Sequence, residues 1–230
     1  MKKTLLIIIV SVLAFCLCGC QSSQPVAGED LVLAARKHYT SLNSARVDII
    51  NDATGESEQI FIYKYDEKGA MTYCYISKVD GEEFYQFNNG YEQFTRHNGE
   101  YSALNKGEKD FVFYTKDTPH AYADEGLIAF YKKAVADEGT FIASDDRVIA
   151  VCHQYDVSKM EGVDKSVASF KVEYFFEASG KLLYFRQTSG VKAEDGTITL
   201  HSYTIYITEE NAVNKVPNPT GEGEDLGNLI

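Results

Sequence analysis

From Ser44 to Leu104 apolar residues return at every second position, and the runs of alternation stop at turn-forming residues. The runs read SARVDII, EQIFIYKYD, AMTYCYISK, EEFYQF, YEQFTR and EYSAL, and DEKG, VDG, NNG and HNGE separate the last five. A period of two sends successive side chains to opposite faces of a strand. Asn-Gly and Asp-Gly tolerate the positive φ of tight hairpin turns. This stretch is therefore expected to form six consecutive antiparallel strands in a meander.

The DEKG turn fixes a register. With Gly69 in the left-handed position, Asp66 faces Ala70, and the next pairs are Tyr65 with Met71, Tyr63 with Tyr73 and Phe61 with Tyr75. Those six residues, Phe61, Tyr63, Tyr65, Met71, Tyr73 and Tyr75, form an aromatic ladder on one face. Ile60, Ile62, Cys74 and Ile76 form an aliphatic patch on the other. In the following strands Phe84 shares one face, and Tyr85 and Phe87 the opposite one. A sheet with one wet side alternates cleanly, as Phe170, Val172 and Tyr174 do against Lys171 and Glu173. Both faces of this hairpin are apolar, so something covers the second: a helix, a partner, the membrane surface or a ligand in a cavity. The chain has 16 Tyr and no Trp. Buried phenols need hydrogen-bond partners, so many of these tyrosines are expected at a boundary with water. The ladder is the candidate ligand or partner face, although cross-strand pairs of about 0.2–1 kcal/mol each would retain such residues without a ligand.

Two segments break the period of two. In residues 31–42, LVLAARKHYTSL, a helical face runs through Leu31, Ala35, His38 or Tyr39, and Leu42, with Asp30 as N-cap. In HAYADEGLIAFYKKAVADEG, after Pro119, helical spacing joins Ala123, Leu127, Phe130, Tyr131, Ala134 and Val135, interrupted by Gly126. This predicts a central helix lying across the sheet. Alternation resumes in DRVIAVCHQYDVS, VASFKVEYFFEAS, KLLYFRQTS and GTITLHSYTIYIT. The expected architecture is α+β: a curved antiparallel sheet of about ten strands, with an N-terminal and a central helix covering one face, over residues 30–210. Pro, Gly and acidic residues then mark 211–230 as a flexible acidic tail.

The opening MKKTLLIIIVSVLAFCLCGC has a basic start and an apolar run, Leu5–Leu17, shorter than the roughly 20 residues that span a bilayer. Leu17-Cys18-Gly19-Cys20 resembles the lipobox of bacterial lipoproteins. That resemblance implies a signal peptide over 1–19, cleavage between Gly19 and Cys20, and acylation of Cys20 by chains such as palmitate. Multiple acyl chains anchor stably, so the chain is expected on the exported side of the cell membrane, with 20–29 as a lipidated tether. The element order from 30 to 210 resembles the LolA-like and LppX-like lipoprotein-carrier half-barrel superfamily, in which helices close the mouth of an incomplete barrel over an apolar cavity. No binding residue is carried over by that likeness. It implies a non-catalytic holder of a hydrophobic or amphiphilic ligand. The alternative is a surface interaction or scaffold lipoprotein whose aromatic sheet face binds a protein partner.

Catalytic motifs are missing from the sequence. His38, His97, His120, His153 and His201 form no HExxH or paired metal spacing, and no GxSxG, phosphate-loop or dinucleotide pattern is present. His153 follows Cys152, but strand neighbours point to opposite faces. No metal or cofactor is expected, and no enzyme activity, although an envelope hydrolase with partners distant in the chain would leave no motif. The net charge of −12 and the lack of a basic block speak against nucleic acid. Cys74 and Cys152 are either a disulfide, which export permits, or two thiols acting as small hydrophobes.

Overall fold

The computed structural model describes residues 26–79, 81–142 and 147–218. Cys20 and the Gly19–Cys20 cleavage site lie outside the described residues. Helix α1 (Glu29–Ser41) opens with Glu29 and Asp30 in its first turn, where the helix dipole favours negative charge. Its N-cap is Gly28 at φ 65°, not Asp30, and a Cβ at that position would strike Val151. The buried stripe runs through Val32, Ala35 and Tyr39 to Leu42, and His38 points outward.

Eleven strands make one antiparallel sheet: β1 (Ser44–Asn51), β2 (Ser57–Tyr65), β3 (Met71–Val79), β4 (Glu82–Asn88), β5 (Glu92–His97), β6 (Glu100–Asn105), β7 (Val135–Ile142), β8 (Val148–Tyr155), β9 (Val167–Glu177), β10 (Leu182–Lys192) and β11 (Ile198–Thr208). Their order is β6-β5-β4-β3-β2-β1-β11-β10-β9-β8-β7. Two meanders thus meet at one seam, where β1 pairs with β11 through Val47↔Ile207 and Ile49↔Ile205. The β2–β3 hairpin has the register its turn dictates, Tyr65↔Met71, Tyr63↔Tyr73 and Phe61↔Tyr75, with Gly69 at φ 78°. The fold is the curved, half-barrel antiparallel sheet of the α+β expectation, with one strand more and one helix fewer among the described residues.

The missing helix is the central one. Residues 120–134 instead form three 3-10 turns, Ala121–Ala123, Glu125–Leu127 and Lys132–Ala134, and the chain from Val135 enters β7. Gly126 costs a helix interior about 1 kcal/mol relative to Ala, and pairing of 135–142 with β8 removes the last helical turns. Of the predicted stripe only Ala123 and Ala134 are buried, Leu127, Phe130 and Val135 are half-buried and Tyr131 is exposed, while Ile128 and Ala129, outside it, are buried. Residues 106–134 carry the chain from the β6 edge to the opposite β7 edge, and with α1 they cover the inner face.

The flexible tail expected over 211–230 is corrected at its start alone, and residues 219–230 lie outside the described residues. Residues 211–218 lie against the domain: Val213 and Val216 are buried on the outer face with Ile60, Ile62, Cys74, Ile76, Tyr85 and Phe87. This strap is what covers the second apolar face of the β2–β3 hairpin. Cys74 and Cys152 are not joined.

Candidate functional site: an apolar cavity beneath helix α1

The aromatic ladder is interior. Phe61, Tyr63, Tyr65, Met71 and Tyr73 are at most 8% exposed, and Tyr75 is half-buried. The chain's own crossing segment occupies the face expected for a ligand or partner. His120 stacks on Phe61 at 4.5 Å between ring centroids, Tyr122 on Tyr75 at 5.3 Å, and Tyr114 meets Tyr73 edge-on at 5.6 Å. From α1, Tyr39 meets Tyr63 edge-on at 6.5 Å. Of the 16 tyrosines nine are half-buried or exposed, in line with the boundary expectation, but Tyr39, Tyr63, Tyr65 and Tyr73 are buried. The Tyr39 hydroxyl donates to the Tyr122 carbonyl, Tyr73 to Gln86 Oε1 at 2.9 Å, and Tyr122 to Gln59 Oε1. Tyr39 and Tyr73 are buried and Tyr122 half-buried, each with an acceptor that offsets the cost of desolvating its hydroxyl. Burial pushes His120 down to about 4. Its neutral ring accepts the Tyr122 backbone N–H on Nδ1 at 3.2 Å.

Towards β10 and β11 the cover thins. Where α1 crosses these strands it presents Ala34 and Ala35, and small side chains leave space that leucines would fill. The result is a cavity of about 450 Å³, within the roughly 300–1,000 Å³ of small-molecule sites. Leu42, Ile128, Leu182, Phe185, Ile205 and Ile207 supply its apolar wall. Polar groups gather at its rim: His38 on α1, Ser179 and Lys181 in the β9–β10 turn, and Glu210 after β11. A second cavity, about 480 Å³ and more polar, includes Gln59, Tyr122, Asp124, Gln187 and Tyr203, and shares Ile205 with the first.

Helix α1 is held over the sheet by polar pins at its first turn, its middle and its last turn. Lys132 Nζ lies 2.7 Å from Glu29 Oε1, Arg36 donates to the Phe130 carbonyl at 3.2 Å and pairs with Glu125 at 3.1 Å, and His38 Nε2 is 2.6 Å from Glu210 Oε2. These bonds tie the helix to the crossing segment and to the end of β11, leaving the apolar contacts beneath it incomplete.

Little else is arranged for chemistry. Among the described residues no three His, Cys, Asp or Glu side chains gather as metal ligands. Cys152 and His153 face opposite ways: His153 is buried on the inner face with Nε2 2.8 Å from the Ala27 carbonyl oxygen, whereas burial and Glu173 raise the Cys152 thiol on the outer one. No described helix is long and apolar enough to cross a membrane.

No family model matches the chain, and no curated protein is similar to it. Among solved structures it is similar to LprF from Mycobacterium bovis, 16% identical with a TM-score of 0.48, over 84% of this chain and 96% of that one. It is also similar to MucB in complex with MucA(peri), 13% identical with a TM-score of 0.33, over 84% of this chain and 60% of the other. Both likenesses are distant.

Proposed function

We propose that this chain holds an amphiphilic molecule by its apolar part in the cavity beneath α1, without catalysis, on a domain tethered to the exported side of the membrane through acylated Cys20. The observation that carries the proposal is an apolar cavity of about 450 Å³ whose polar side chains lie at its rim. Such a shape suits a molecule with one oily and one wet end. Burial is a sufficient source of affinity, since each enclosed methylene contributes about 0.8 kcal/mol. The six ladder residues would then support the site as packed core and would not touch the ligand.

The test is native mass spectrometry and solvent extraction of protein lacking residues 1–20 and purified without detergent. A released non-protein mass bearing an alkyl chain is expected. Repeated preparations that are empty, and that take up no added amphiphile, would count against the proposal.

A second reading, docking of a protein partner, draws on a different feature. Pairing of β1 with β11 ends at Asn51↔Tyr203, so the far end of the β10–β11 hairpin extends beyond the seam with Ile198 and Leu200 53% and 67% exposed. Exposed aliphatics on a projecting hairpin suit a small contact. If that reading is right, Leu200→Glu abolishes recovery of a cross-linked partner while leaving amphiphile uptake intact.

A further inference from the structure

The rim of the cavity narrows the class of amphiphile, an inference that rests on the cavity reading above. Glu210 bridges two elements: its Oε2 lies 2.6 Å from His38 Nε2 on α1, and its Oε1 lies 3.5 Å from Lys181 Nζ in the β9–β10 turn. All three line the cavity. The carboxylate is the more enclosed group, 22% exposed in its side chain against 57% for each basic partner. The mouth of an apolar cavity is thus already built to grip a carboxylate, on a chain whose net charge is −12.

We propose that the ligand is an amphiphile with an anionic headgroup, a carboxylate or a phosphate, which takes the place of Glu210 between Lys181 and His38 while its alkyl chain enters the cavity. An anionic head replaces like with like, and the displaced Glu210 turns to solvent. Only the side chain has to swing out, since Glu209 and Asn211 on either side of it are exposed. Meanwhile the Asn211 N–H donates to the Ser44 carbonyl at 2.8 Å, and Asn211 Oδ1 accepts the Asn43 N–H at 2.7 Å, which keep the turn attached. A cationic head would have to draw Glu210 from both partners and then face Lys181. A neutral head leaves the bridge intact and gains no charge-assisted bond. Glu177, the other nearby carboxylate, is engaged by the Ser179 hydroxyl at 3.1 Å.

Four probes with the same alkyl chain test this by calorimetric titration of delipidated protein below their micelle concentrations: palmitate, palmitoyl lysophosphatidic acid, monopalmitoylglycerol and hexadecyltrimethylammonium. The two anions are expected to bind about two- to fivefold tighter than the glyceride, a contrast typical of partly exposed charge pairs. The stronger of the two anions identifies the source as free fatty acid or phospholipid headgroup. Lys181→Gln should erase the anionic preference, and Glu210→Gln should raise affinity for both anions about threefold with the glyceride unchanged. Equal binding of all probes in all three proteins, or preference for the cation, overturns the headgroup assignment and leaves the cavity standing. Failure of every probe to bind overturns both.

Discussion

His120 shows how one side chain ties the inner core to pH. It is enclosed by Phe61, Tyr73, Tyr114 and Tyr122, and burial holds it near 4 in the folded chain against an ordinary 6.5. Above about pH 6.5 the ring is neutral in both folded and unfolded chains and exerts no pH effect. As pH falls towards 4 the unfolded chain takes up the proton first, so stability is lost across that window. His153, also lowered by burial, acts in the same direction. His120→Phe is therefore expected to flatten, though not abolish, the acid slope of the urea midpoint between pH 6.5 and 4. An unchanged slope would show that the ring is not buried neutral. Tyr39→Phe tests the phenol network differently. It removes the donor to the Tyr122 carbonyl and should cost about 1–2 kcal/mol in denaturant titration. At this scale the sequence was half legible. Helical spacing left His38 and Tyr39 as alternatives, and only packing against Tyr63 decides for Tyr39. Nothing local to His120 announced that Phe61 and Tyr73, from β2 and β3, would enclose it together with its neighbours Tyr114 and Tyr122.

At the scale of elements, the strap and the crossing segment define the covering of the two sheet faces. Val213 and Val216 close the outer aliphatic cluster over Cys74, which is fully buried. Val213→Ala and Val216→Ala should each cost about 1–2 kcal/mol. The double variant should also make Cys74 react with a thiol reagent much faster under native conditions. Equal labelling rates in wild type and variant would mean the strap does not protect that face. The strands of the first meander were well legible because the turn residues DEKG, VDG, NNG and HNGE and the period of two agree there, down to the Tyr63↔Tyr73 register. The central helix was not, because residues 120–135 carry helical spacing in a stretch whose end is claimed by pairing with β8. Short-range pattern cannot weigh that distant partner. The strap was missed for a related reason: among Pro, Gly and acids, two valines look like nothing until a sheet face lacking cover is placed beneath them.

For the whole molecule, the sheet closes through contacts far apart in the chain. The β1–β11 seam joins residues 46–51 to 203–208, and the cavity draws its wall from α1, the crossing segment, β10 and β11. Each lining residue taken alone reads as ordinary core, whereas the two-sided apolar strands that the sequence put forward, β2 and β3, carry a ladder packed in the interior. Ala34 is the position at which the cavity is most easily altered without disturbing the sheet, being exposed on α1 and part of the cavity lining. Ala34→Trp should block uptake of amphiphiles while thermal unfolding stays near that of the unmodified protein, since the cost in helix propensity is below about 1 kcal/mol. The most direct measurement of the central claim is the affinity of the delipidated protein for a homologous series of alkyl carboxylates. If the chain is enclosed beneath α1, binding free energy should improve by about 0.8 kcal/mol per methylene, then level off once the cavity is full, and the dependence should vanish in Ala34→Trp. Affinity that does not change with chain length, or that changes equally in the blocked variant, would contradict it.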